Sequence, residues 1–417
     1  MIKFNFYYSL LFWGAFLLVA LSSRIFDQNR KVRPYVFLIS SSLMILAIPQ
    51  FSIKAYLAVV ALSLFSFSMG YVLSGKNLVR DPLSRKGVAI LGMLGILAFL
   101  AFFKYHFLQD FFIGGRQSAP PAYLFLIGVS YFSFKMMHFV VESYRRKIEN
   151  PDLRYYLNYI LFFPSFISGP INRYEHFSVQ LASPPKTSFS KDIVIGSERI
   201  IHGLFKKFVL VQLLYPHILG QQVKPLTQLS FGEIVVGLYA YALYFYFDFS
   251  AYSDLAIGGA RFLGFDLPEN FNRPFLKKNI RELWMNWHMS LTGWLVEYIY
   301  WPLVRKLRGL DFFRLRPVML SNVGMIITFI ACGIWHGETL NFVIWGAYHG
   351  LGISVVNIYQ REKRKVSSPI LQRYFRSRVS AVVGTFLTFS FFTWGLLFFA
   401  YDFSNLKILL SRVLSKG

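Results

Sequence analysis

The sequence predicts an all-α fold, a polytopic transmembrane bundle of about eleven helices. Three observations predict it. The 417 residues are 55% hydrophobic, and their mean hydropathy is +0.45. Only 15% are charged, against about 25% in an average soluble chain. Apolar runs recur along the whole length, and a soluble core does not absorb runs of about 18 or more apolar residues. Aromatic residues reach 19%, with 46 phenylalanines, which suits lipid-facing surfaces and two interfacial aromatic belts.

The elements follow in chain order. The first apolar run, 6–22, has one lysine before it and no clear small-residue cleavage site. It therefore predicts a first span rather than a cleaved signal. Further candidate spans are 36–48, 55–73, 88–103, 123–141, 193–219, 231–263, 325–353 and 380–401. Two stretches, 155–167 and 284–303, are apolar but broken by polar residues. They predict helices buried in the bundle or re-entrant pieces. The polar stretch 169–191, with Pro184-Pro185, predicts a surface loop or a short amphipathic helix. With no heptad repeat, low-complexity tract or soluble segment, residues 1–417 read as one membrane-embedded domain.

Charge is one-sided: 44 Lys and Arg against 20 Asp and Glu, a formal net charge of +24. In a soluble protein this points to nucleic acid; here it points to loops that set topology and touch anionic lipid, with no nucleic-acid partner. Arg24, Arg30, Lys31 and Arg33 lie between the first two spans, and Lys76, Arg80, Arg85 and Lys86 between the third and fourth. Arg145, Arg146, Lys147 and Arg154 follow the fifth, and 361–378 precedes the last. The alternate loop 49–54 carries little charge. Basic loops stay cytosolic, which predicts an outside N-terminus in a bacterial cytoplasmic membrane. Cys332 is the one cysteine, so no intramolecular disulfide forms.

Candidate chemistry concentrates in 244–352, where polar residues sit in apolar surroundings that penalise them unless they find a partner or water. His336 follows the apolar run 323–334 inside a predicted span. A neutral imidazole is the cheapest titratable group to bury and is the state a general base needs; a structural histidine bonded to a carbonyl is the other reading. Flanking Gly333 and Gly337 leave room for another backbone or a substrate. His288 stands in a tryptophan-rich segment where helical spacing puts Trp284 and His288 on one face, and Trp287 with Trp294 on another. Such aromatic walls line an acyl tunnel or act as interfacial anchors.

Asp248, Ser250, Tyr252, Ser253 and Asp254 punctuate an aromatic run, and Asn270, Asn272 and Arg273 precede Pro274. A buried Asp248 or Asp254 needs a partner, with Arg273 or a histidine as candidates. Cys332, four residues before His336, is better explained as a packing residue than as a nucleophile. The eight histidines are scattered, with no HExxH or Cys/His cluster, and no P-loop, nucleotide fingerprint or GxSxG occurs, so neither a metal nor a bound cofactor is expected.

At these residues the chain resembles the membrane-bound O-acyltransferases. The resemblance rests on Trp284–Trp294 read as WxxWHxSLxxW, on Gly333-Ile334-Trp335-His336-Gly337, and on His349-Gly350 downstream. Supporting segments are Gly128-Val129-Ser130-Tyr131, Ser168-Gly169-Pro170-Ile171-Asn172-Arg173, Phe247-Asp248-Phe249-Ser250-Ala251-Tyr252-Ser253 and Pro268-Glu269-Asn270-Phe271-Asn272-Arg273-Pro274-Phe275. Their joint order over 128–352 is what makes the match specific. Length and the Ser168–Arg173 segment are more similar to the branch that D-alanylates teichoic acids. The segments 252–258 and 265–272 are more similar to alginate and related polysaccharide O-acetyltransferases. Asn286 stands where the family usually has Arg, Val296-Glu297 where it has Arg-Asp, and Ala251 where it has Gly.

The resemblance implies helices ringed around a central funnel with the histidines at its depth. It implies His336 as base, with His288 orienting substrate or steadying charge. Trp284, Trp287, Trp335, Ser290, Asp248 and Asn272 are the expected substrate contacts. The donor implied is a phosphopantetheinyl thioester on an acidic carrier protein, docking on Lys277, Lys278, Arg281, Arg305, Lys306 and Arg308. The acceptor is a hydroxyl of an envelope polymer, or an intermediate acyl-carrying membrane protein. A transporter or lipid-linked glycan flippase is the rival from another class, since polar residues in a multi-span bundle suit both.

Overall fold

The computed structural model describes residues 10–26, 29, 31–48, 51–75, 79, 81–113, 128–183, 187–219, 221 and 225–414, and among these it is helical with no strand. Residues 1–9, Arg30, Lys76, Arg80, 123–127 and Pro184-Pro185 lie outside the described residues. The chain packs as two compact units, Met1–Gly203 with Tyr252–Pro268, and Leu204–Ala251 with Glu269–Gly417.

The first unit contains α1 (Leu10–Ile25), α2 (Arg33–Leu46), α3 (Ile53–Ser74), α4 (Pro82–Lys104), α5 (His106–Ile113), α6 (Val129–Tyr144), α7 (Leu153–Leu161), α8 (Phe163–Phe166), α9 (Tyr174–Ala182) and most of α10 (Phe189–Phe205). Its core is aromatic: Phe139, Tyr156, Tyr159, Tyr174 and Phe177 are all buried and meet edge-on or tilted. Family-like segments serve as joints here. The Ser168 N–H donates to Tyr252 Oη at 3.3 Å, and buried Lys135 donates to Tyr159 O at 3.1 Å and Ser165 Oγ at 3.0 Å. Gly128 takes φ +82° beneath the Phe166 carbonyl, where a Cβ would come within 2.6 Å, a position only glycine fills without strain.

Two arginines that the charge pattern assigned to loops are buried instead. Arg33 sits in the first turn of α2 and donates to the carbonyls of Gln180, Leu181 and Ser183 at the end of α9. Arg85 donates to Leu73 O at 2.8 Å and Tyr144 O at 3.0 Å, the ends of α3 and α6. Helix C-termini carry orphan carbonyls and a partial negative charge. That pull outweighs the exposure that sequence position alone suggests.

The second unit contains α11 (Val211–Leu214), entered through a π-helical turn at Lys206–Leu210, then α12 (Phe231–Phe262), which ends in the first unit. There follow α13 (Ile280–Met285), α14 (Met289–Leu295), a π-turn at Val296–Tyr300, α15 (Trp301–Arg308), α16 (Asp311–Arg314), α17 (Pro317–His336), α18 (Leu340–Lys363), α19 (Pro369–Arg376), α20 (Arg378–Ala400) and α21 (Phe403–Leu414). Six helices among the described residues, α3, α4, α12, α17, α18 and α20, are long and apolar enough to cross a membrane. This is a polytopic helical membrane protein.

Several expected spans fold as shorter pieces. The run 193–219 divides into α10, the π-turn, α11 and a 3-10 turn. The run 325–353 is two helices, because the chain opens at Gly337, whose φ of −171° is fully extended, before α18 begins. The two then pack as a hairpin with their backbones almost touching. A Cβ on Gly333 would lie 2.1 Å from Phe342 O, and one on Gly346 would lie 2.3 Å from Phe329 O. Helices in lipid gain little from apolar burial and associate through small residues that permit such approach. Gly333 therefore accommodates a neighbouring backbone, and Gly337 the Phe342 ring, which a Cβ there would meet at 2.3 Å, rather than substrate.

Candidate active site

His288 owes its position to a break in the tryptophan-rich stretch. Asn279 caps α13 reciprocally: its Oδ1 accepts from Glu282 N–H at 3.0 Å, and its Nδ2 donates to Glu282 Oε1 at 2.7 Å. The helix lasts six residues. Asn286, in the place of the usual arginine, closes it by donating from Nδ2 to Glu282 O at 2.8 Å. His288 then adopts φ +43°, ψ +53°, and α14 starts at the next residue. The shared face of Trp284 and His288, and that of Trp287 and Trp294, therefore do not form.

The cause lies eighteen residues earlier, at Asn270. Met289 N–H donates to Asn270 O at 2.8 Å, Asn272 N–H donates to Asn286 O at 3.0 Å, and Ser290 Oγ donates to Asn270 Oδ1 at 2.6 Å. Asn270 is fully buried. A left-handed residue with a side chain costs about 1–3 kcal/mol and persists only where its surroundings over-determine it; this loop does so. Ser290 and Asn272, expected to contact substrate, are parts of the clamp, and the Asn272 side chain is exposed.

His336 is the last residue of α17, not an interior one. Its half-buried ring packs edge-on against Trp345 at 5.0 Å and Phe399 at 4.9 Å, and tilted against Trp335 at 4.5 Å. Both histidines line one cavity of about 300 Å³, together with Trp284, Trp287, Trp345, Cys332, Phe249 and Phe399. Its walls are mostly apolar. His288 is held edge-on to Phe249 at 4.7 Å. The π-turn contributes Val296 and Tyr300, so the segment where Val296-Glu297 departs from the family pattern forms part of the wall; π-turns recur at functional sites.

Behind this wall His349 backs Trp284 and the lining Trp345. Trp284 Nε1 donates to His349 Nδ1 at 3.4 Å, so the neutral His349 ring carries its proton on Nε2. That nitrogen is buried without a hydrogen-bond partner among the described residues, and a Cβ on Gly395 would lie 2.7 Å from it. Trp345 stands 5.6 Å from Trp284 and 5.0 Å from His349, ring to ring. Sequence reasoning used His349 only as part of a motif and missed Trp345. Their spacing of four on α18 is the signal that places both on one face.

Trp335, Ser290, Asp248 and Asn272 do not line the cavity, whereas Trp284 and Trp287 do. Asp248 is ion-paired with Lys207 rather than with Arg273 or a histidine, and Asp254 pairs with Arg199 at 3.3 Å. The lysine comes from the π-turn at Lys206–Leu210, whose neighbour Lys206 donates to Ser250 Oγ at 2.6 Å. Among the described residues no group of three or more His, Cys, Asp or Glu is placed to hold a metal ion.

The membrane-bound O-acyltransferase family profile matches residues 122–392, which include every residue of the cavity except Leu396 and Phe399. The chain belongs to the membrane-bound O-acyltransferase family. It is an O-acyltransferase acting on hydroxyl acceptors. It is 28% identical to the teichoic acid D-alanyltransferase of Bacillus subtilis over 345 residues, covering 82% of this chain and 85% of that protein. It is 29% identical to the peptidoglycan O-acetyltransferase of Helicobacter pylori over 339 residues, 74% of this chain and 61% of that one. With a probable alginate O-acetylase of Azotobacter vinelandii it shares 30% over 308 residues, 71% of this chain and 58% of that one.

Proposed function

We propose that this enzyme passes a D-alanyl group from a phosphopantetheinyl thioester on an acidic cytosolic carrier protein to a hydroxyl of a cell-envelope polymer, or to a membrane protein that relays the acyl group. The observation that carries the reading is that His288 and His336 line the same mostly apolar cavity. His336 accepts the acceptor's hydroxyl proton as the oxygen attacks the thioester carbonyl. His288 donates to the developing oxyanion. Collapse of the tetrahedral intermediate expels the thiolate, which recovers the proton from His336. Walls of tryptophan and phenylalanine keep water from the thioester. The protein sits in the bacterial cytoplasmic membrane with its N-terminus outside. The carrier approaches the exposed Arg305, Lys306 and Arg308 at the end of α15, whose first residue, Trp301, lines the cavity, as does Arg281.

The breadth of the match supports D-alanine over acetate: it covers 82% of this chain and 85% of the Bacillus protein, against 74% and 61% with the Helicobacter one. The acetyl-like segment 252–258 lies in the first unit, where Tyr252 and Asp254 bond to Ser168 and Arg199, so its likeness bears on helix packing rather than on the acyl pocket. The test is reconstitution with D-alanyl-carrier thioester and, separately, an acetyl thioester, with acylated acceptor as the readout. D-alanylated product from the wild type and none from His336→Ala is expected. Acetyl transfer alone would reassign the donor, and acceptor movement with no acylated product would indicate a transporter.

A further inference from the structure

A second, larger cavity in the second unit is unrelated to the histidines. It measures about 920 Å³ and runs between α18 and α20, with α19 and the N-terminus of α13 at one end. On α18 its lining residues are spaced by four: Leu351, Val355, Tyr359 and Lys363. At 1.5 Å per residue these twelve positions cover about 18 Å along the helix. The stripe begins apolar and ends basic. Across from it α20 presents Phe391 and Leu387 beside the apolar part and Ser380 beside the basic part. Leu351, Val355 and Leu387 are 54%, 64% and 60% exposed, so the apolar part opens outward where a bilayer surrounds two of the membrane-crossing helices.

The polar end gathers Lys278, Lys363 and Arg376, with Glu282 as the acid on its rim. Glu282 Oε1 is engaged by Asn279 Nδ2 at 2.7 Å. Lys363 Nζ is held 4.6 Å from the centre of the Phe375 ring and 5.8 Å from that of Tyr359, which positions its charge over the mouth. α18 ends and α20 begins here, joined by the short helix α19 with exposed Ile370, Leu371 and Tyr374. Such an amphipathic connector between two spans marks the membrane–water boundary.

We propose that this groove binds an anionic phospholipid, its phosphate among Lys278, Lys363 and Arg376 and an acyl chain along Leu351, Val355 and Leu387. Charge and geometry select that occupant. The distance from basic mouth to apolar depth, about 18 Å, is close to one leaflet of a hydrocarbon core about 30 Å thick. Clusters of basic residues at the ends of spans attract anionic headgroups. A soluble phosphate has no use for the outward-facing apolar wall, and a carrier protein cannot reach it.

The test uses the full-length protein in nanodiscs of phosphatidylcholine containing a minority of phosphatidylglycerol, with lipids retained after extraction counted by native mass spectrometry. Lys278→Gln, Lys363→Gln and Arg376→Gln combined should lower phosphatidylglycerol retention on the order of tenfold or more. Val355→Trp, which fills the apolar part and leaves the charges, should lower it as well. Arg361→Gln, Arg364→Gln and Arg373→Gln combined remove equal charge from the same segment outside the cavity and should change little. Equal loss in that control would overturn the site in favour of general surface attraction. Competition by glycerol phosphate would overturn it in favour of a soluble anion, and equal retention of phosphatidylcholine would remove the role of charge.

Discussion

Two side chains in the apolar cavity differ in how they are held. His336 ends a helix and packs half-buried against aromatic rings, whereas His288 is buried in a strained backbone. The first suits a group that meets two substrates, the second a fixed donor. His336→Ala is expected to lower acyl transfer by about 10²–10⁴, the range of general base catalysis, with the protein still inserted and monodisperse. His288→Ala should cost about 10²–10³. Single-turnover transfer from loaded carrier measures both, and near-wild-type rates would reduce either residue to packing. Cys332 is buried in the same wall, among Trp284, Trp287 and Trp345. Cys332→Ser and Cys332→Ala should keep most activity; loss in both, with a trapped acyl-cysteine, would make it a nucleophile.

At the scale of elements, the site depends on one break and one hairpin. The loop around Asn270 imposes the break by bonding to Met289 and Ser290. Asn270→Ala keeps the backbone bond to Met289 but removes the acceptor of the half-buried Ser290 hydroxyl, a loss of about 1 kcal/mol, and should slow transfer several-fold by loosening His288. In a His288→Ala background the same change should have little further effect on rate, and additive losses in that cycle would mean the clamp acts elsewhere. The hairpin of α17 and α18 carries His336 at its turn. Gly333→Val meets the Phe342 carbonyl, which cannot retreat without moving α18. The variant should lose extractable, folded protein by fluorescence-detected gel filtration; a monodisperse peak of normal melting temperature would show that the hairpin tolerates separation.

At the scale of the molecule, charge is divided between two tasks that look identical in a sequence. Arg33 and Arg85 satisfy helix carbonyls inside the first unit. Arg305, Lys306 and Arg308 remain exposed beyond the cavity. Arg305→Glu with Lys306→Glu should therefore raise the KM for carrier several-fold and leave kcat nearly unchanged, because rim charges steer encounter. Added salt should weaken the wild type in the same direction. Cysteine labelling in a Cys332→Ala background should report the same topology in both. A salt-independent wild type with an unchanged KM in the double variant would restrict these residues to topology.

Membrane residence, the helical fold and the family were all legible from the sequence alone. Hydropathy, composition and motif order are properties of consecutive residues and need no partner to be read. The same reasoning singled out His288, His336, Trp284 and Trp287, which line one cavity. Tertiary structure alone decided that Trp284 and His288 do not share a helix face, because the left-handed turn at His288 is imposed by hydrogen bonds that Asn270, eighteen residues away, accepts. It alone gave Asp248 its lysine, placed Ser290 and Asn272 in a clamp, split the run 325–353 at Gly337, and set Trp345 and His349 behind Trp284. Apart from the split at Gly337, which packs against nearby Phe342, each of these rests on a bond or a packing contact between segments far apart in the chain, and helical periodicity carries no record of which distant segment will arrive.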